Sequence, residues 1–113
     1  MIEANFAQLA VEYWKLLRIL ERALESLPDQ SKERVASQVR YASSRLETLL
    51  AEEKMSLQTF DGMDFEVNLP ASAINADEFE GGTNSVVERT LEPAVISNMR
   101  ILLMGKVYLA GKA

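Results

Sequence analysis

Apolar residues recur at steps of three and four through the first part of the chain. Phe6, Leu9, Tyr13, Leu16, Leu17, Leu20, Leu24 and Leu27 share one face of a helix expected over about residues 3–27. Val11, Trp14 and Ile19 fall outside that stripe, so the apolar surface is wider than a single partner helix needs and calls for more than one neighbour. Pro28 ends the helix. Asp29 or Ser31 can cap a second one, since a short side-chain oxygen satisfies a free N–H of the first turn. Over about residues 31–56, Val35, Val39, Ala42, Leu46, Leu49 and Leu50 repeat at the same spacing, with Lys32, Arg34, Arg40, Arg45 and Glu47 on the opposite face. A link of only a few residues makes the pair an antiparallel hairpin.

After Leu57 the pattern changes. Glycine stands at 62, 81, 82, 105 and 111 and proline at 70 and 93, and apolar residues alternate or form short blocks, as in strands. Strands are expected near 58–60, 63–67, 85–91, 93–97 and 99–109, with a long loop from Pro70 to Gly82. The Ser97-Asn98 pair is read as a hairpin turn, because asparagine tolerates positive φ. The fold class is therefore α+β. Residues 1–57 are expected to form a helical hairpin and residues 58–113 a small β-rich domain.

Composition narrows the function. The 113 residues carry 12 basic and 17 acidic side chains, a net charge of -5. Residues 1–57 hold 8 basic and 9 acidic groups and residues 58–113 hold 4 and 8, so no basic cluster offsets the repulsion from a phosphate backbone, and nucleic acid is not an expected partner. The longest apolar runs fall far short of the ~20 residues that span a bilayer. The start Met1-Ile2-Glu3-Ala4-Asn5 lacks the basic and apolar character of a secretory signal, which makes the cytoplasm the expected compartment.

Without histidine or cysteine, the commonest nucleophile and base arrangements and zinc sites have no residues to use. Asp77, Glu78 and Glu80 lack the alternating oxygen ligands of a calcium loop and read as a solvated turn. Gly81-Gly82 has no following lysine and does not open a helix, so it is a flexible turn rather than a phosphate cradle. Arg34, Arg40 and Arg45 are interrupted by Glu33 and Glu47 and read as a solvated face, and Tyr13 and Trp14 are expected to be buried. No catalytic residue, metal or cofactor is expected, and the chain reads as a protein-binding module.

Several motifs resemble the GrpE family, the nucleotide exchange factors of DnaK-type chaperones. Leu20-Glu21-Arg22-Ala23-Leu24-Glu25 looks like the family's LERALE stretch, and Phe65 to Leu69, with Asn68-Leu69, is similar to its FDPNL segment. Asn98-Met99-Arg100-Ile101-Leu102 resembles its NGRVL hairpin and Val107 to Ala110 its VKVA strand. The similarity covers roughly residues 6–111. The chain departs from the family at Pro70 for histidine, Ala94-Val95 for Gly-Tyr and Leu103-Met104-Gly105 for Arg-Pro-Ala. The family's long paired N-terminal helix, which would precede residue 1, is expected to be missing.

The resemblance implies a homodimer in which helix pairs form a four-helix bundle, with contacts expected at Leu9, Tyr13, Leu17, Leu20 and Leu24. It implies a β domain that contacts a DnaK-type ATPase domain, and Asn98, Met99, Arg100 and Met104 are the expected partner-contact residues, because Arg100 matches the family's hairpin arginine and arginine and methionine are enriched at protein interfaces. The alternative is a non-catalytic adaptor or structural subunit of a larger complex that retains this architecture.

Overall fold

The computed structural model describes residues 2–79 and 85–112. It is an α+β protein: two helices, α1 (Ile2–Ala23) and α2 (Asp29–Glu52), precede six strands. These are β1 (Met55–Gln58), β2 (Ala71–Ala73), β3 (Ser85–Glu92), β4 (Ala94–Ser97), β5 (Arg100–Leu103) and β6 (Gly105–Gly111). The chain divides into two compact units, 1–56 and 57–113.

In the first unit the helices form the antiparallel hairpin expected from their spacing. The Tyr13 hydroxyl donates to the Ala42 carbonyl at 2.9 Å. These residues lie fourteen positions before Leu27 and fourteen after Pro28, as an antiparallel pair folded about that link requires. α1 stops at Ala23, short of the expected Leu27, and continues as one 3-10 turn, Leu24–Ser26. The cause is Pro28: the residue before a proline avoids the helical region, and Leu27 is extended at φ -86 and ψ 148.

Neither Asp29 nor Ser31 is the cap of α2. Pro28 occupies that position, and its carbonyl accepts the N–H groups of Ser31 at 3.0 Å and Lys32 at 2.9 Å. α2 also ends earlier than expected. Lys54 adopts φ 58, and its N–H reaches the Ala51 carbonyl at 2.9 Å, which closes the helix and turns the chain into β1. Helices often close through a left-handed residue that is usually glycine. A lysine there leaves no stop signal in the sequence.

In the second unit the sheets are ordered β1-β4-β5 and β2-β6-β3. β6 is central to the latter, parallel to β2 (Ala71 opposite Gly105) and antiparallel to β3 (Val87 opposite Leu109). Its inward positions Gly105, Val107 and Leu109 alternate with more exposed ones, as a pleated strand with one buried face demands. β3 carries register shifts between Val87 and Arg89 and between Thr90 and Glu92. The first reverses its phase, so Ser85 and Val87 point inward before it and Thr90 after it.

Phe60, Ala71, Val87, Ala94, Val107 and Leu109 form the core of this unit, with Phe65, Leu69, Ala73, Phe79 and Ile96 packed around it.

Four expectations for the β region change. The strand expected near 58–60 is β1, which begins at Met55, inside the span expected to be helical, and ends at Gln58. The strand expected at 63–67 is irregular backbone with one isolated bridge, Asp64 to Val86, and runs into a turn at Val67. Its neighbourhood is held by single backbone bonds, Phe65 N–H to the Ser85 carbonyl at 3.1 Å and Leu69 N–H to the Glu66 carbonyl at 3.0 Å. The expected loop from Pro70 contains β2 and a 3-10 turn at Ala76–Glu78; Glu80, Gly81 and Gly82 lie outside the described residues. The single strand expected at 99–109 is two, β5 and β6, separated at Met104.

Candidate functional site

Two surfaces hold the residues singled out by sequence. The first lies along α1. Tight packing there falls on Ala7, Ala10, Val11 and, from the stripe of large residues, Leu17. Leu9, Leu16 and Leu20 remain 66%, 64% and 45% exposed, in line with Ile2 at the helix start. Positions 2, 6, 9, 13, 16 and 20 are separated by alternating fours and threes, the spacing of a seam between packed helices. α1 therefore has two apolar faces, of which the hairpin covers the one containing small alanines.

Of the expected dimer contacts, Leu9 and Leu20 lie on the open seam. Tyr13 is half-buried at its edge, Leu24 is half-buried in the 3-10 turn, and Leu17 is buried inside the chain. Leu16, read as part of the apolar stripe but not among the expected contacts, also lies on the open seam. Val11, outside the expected stripe, is buried. Leu9, Glu12, Tyr13, Leu16, Leu17 and, from α2, Ala42 line a shallow groove along this surface. Trp14 is only half-buried, with the Arg18 guanidinium 4.9 Å from its ring centroid. Arg34, Arg40 and Arg45 are exposed, and Arg40 approaches Glu33 at 4.0 Å.

The second surface is the β4–β5 hairpin. Its turn is Asn98-Met99, one residue later than the expected Ser97-Asn98, with φ 51 and φ 64 at the two central positions. Positive φ at both is the signature of the two-residue turn whose twist matches antiparallel strands. Asparagine suits the first position. Methionine at the second, where glycine is preferred, holds a conformation that costs about 1–2 kcal/mol for a residue bearing a Cβ. Ser97 pairs with Arg100 beside the turn and is buried.

All four expected contact residues are exposed: Asn98 and Arg100 at the tip, Met99 at 98%, and Met104 at 51% beyond the far end of β5. Ile101, 50% exposed on β5, joins them and was not singled out. β5 is an edge strand, so the hairpin presents its tip, one strand edge and several apolar side chains together.

Among the described residues no group of three or more histidine, cysteine, aspartate or glutamate side chains is placed to hold a metal ion. Among them no helix is long and apolar enough to cross a membrane. Compared with known protein families, curated proteins and solved structures, the chain matches none.

Proposed function

We propose that the protein is a GrpE-like exchange factor that binds the ATPase domain of a DnaK-type chaperone and promotes nucleotide release. The observation that carries this reading is the exposed hairpin tip, Asn98-Met99-Arg100, at the end of an edge strand in a β unit that follows a helix pair. The order of parts agrees with the resemblance in the sequence, and the tip offers the reach, donors and adaptable thioether surface that suit a protein interface. Such a protein needs no catalytic group. It acts by binding the open nucleotide cleft more tightly than the closed one, because only differential affinity shifts that equilibrium.

The open seam on α1 supports a homodimer through the helices. A contiguous row of large apolar side chains gains by removal from water, and a second copy supplies a matching row.

The test is nucleotide release from a DnaK-type ATPase domain, followed with a fluorescent nucleotide. The wild type accelerates release. Arg100→Ala slows it while changing stability by less than about 0.5 kcal/mol, as exposed substitutions do. Equal rates with the variant remove Arg100 from the contact. A wild type that neither binds the ATPase nor accelerates release overturns the exchange reading and leaves the adaptor reading in its place.

A further inference from the structure

The protein has no cysteine and five methionines, so its oxidisable sulfur is thioether sulfur. The placement of that sulfur is uneven. Met55 is 6% exposed, Met63 is 40% exposed in the turn after Phe60, and Met99 and Met104, at 98% and 51%, flank β5 on the hairpin described above. Met99 also holds a left-handed backbone conformation at φ 64, with almost none of its surface covered by the chain. Its side chain therefore adds little to folding.

We propose that Met99 and Met104, at opposite ends of β5, are two oxidation-sensitive positions of the hairpin, at which conversion to methionine sulfoxide by a peroxide weakens partner docking without unfolding the protein. This rests on the exchange-factor reading for the identity of the partner. In the reaction a sulfur lone pair attacks one peroxide oxygen, forming the S–O bond as the O–O bond breaks. The departing oxygen leaves as water after proton transfer. Sulfur loses two electrons and the peroxide gains them. Sulfoxide reductases reverse the step at the expense of a thiol reductant.

The exposure of the two residues determines what the modification does. In the free protein a sulfoxide at Met99 or Met104 stands in water, and its new oxygen is hydrated. When a partner covers the hairpin, that oxygen loses its water and the thioether that adapts to an apolar surface has become polar. The penalty falls on the complex, not on the fold. A sulfoxide at buried Met55 would do the reverse.

Peroxide titration of the free protein with peptide mass mapping reads the first part: Met99 and Met104 gain an oxygen atom well before Met55. The oxidised protein keeps its thermal midpoint, and its affinity for a DnaK-type ATPase domain falls roughly tenfold, an effect of the size expected for a polar group left without a partner. Sulfoxide reductase restores it. The double variant Met99→Leu/Met104→Leu binds equally before and after peroxide, whereas Met63→Leu retains the wild-type sensitivity.

Unchanged affinity with both sulfoxides present overturns the inference, as does undiminished sensitivity in the double variant or oxidation of Met55 at the same rate. An untreated protein that fails to bind the ATPase instead overturns the function reading and this inference with it.

Discussion

At Gly105 an added methyl group would stand 2.9 Å from the Glu92 carbonyl oxygen, 2.9 Å from the Phe60 ring and 3.1 Å from the Ala94 backbone nitrogen. Two of those atoms belong to the backbone and the third to a fully buried ring, so none can yield cheaply. Gly105→Ala is expected to destabilise the protein by about 1–3 kcal/mol, the usual cost of overpacking a filled site, read as a lower urea midpoint at unchanged slope. This role was not legible in the sequence, where Gly105 was placed inside a continuous strand.

Asn75 and Thr90 were equally silent, because a buried polar residue is recognised only by the groups it meets. The Asn75 side chain donates to the Leu109 carbonyl at 3.0 Å and accepts the Leu109 N–H at 2.9 Å, acting as a short piece of strand. The Thr90 hydroxyl accepts the Phe60 N–H at 2.8 Å, and Asp61 accepts the Thr90 N–H at 2.9 Å. These bonds span 34, 30 and 29 residues of sequence, and no local pattern announces them.

For the elements, the question raised by the sequence was which side of α1 would be covered. Hydrophobic spacing established the helix and the excess width of its apolar surface. It did not separate the covered side from the open one: Ala7, Ala10, Val11 and Leu17 are buried, while Leu9, Leu16 and Leu20 stay exposed. Small side chains let two helix backbones approach closely, and the large residues beside them are left for another surface. The two faces predict opposite results from adjacent changes. Leu17→Glu, which buries an unpaired charge inside the chain, abolishes the helical circular-dichroism signal of the first unit or lowers its melting point steeply. Leu16→Glu leaves the secondary structure of the protomer in place and removes only association.

The strands show a similar division. β3 and β4 follow blocks that carry β-branched residues, Val86, Val87 and Thr90 in one and Val95 and Ile96 in the other, while β2 is three residues long and exists through its parallel pairing with β6.

For the whole molecule, the proposed dimer adds a concentration-dependent contribution to the stability of the folded chain. Light scattering at micromolar concentration is expected to give twice the 12.6 kDa of one chain, and the thermal midpoint is expected to rise with protein concentration, as mass action requires when only the folded form associates. A monomer mass with a concentration-independent midpoint removes the helical dimer.

The sequence by itself determined the α+β class, the helix pair and its turn at Pro28, and the change from helices to short strands, although the first strand begins at Met55 and not after Leu57. These follow from local periodicity and from the backbone limits of proline and glycine. It also marked Asn98, Met99, Arg100 and Met104, though on resemblance and not on geometry.

Only the tertiary structure decided which face of α1 is covered, that Lys54 and Met99 adopt left-handed conformations, that β5 and β6 part at Met104, and that the hairpin tip stands in solvent. The physical reason is common to all four. Each outcome depends on energies supplied by residues distant in sequence, which override local preference and are absent from any short window of the chain.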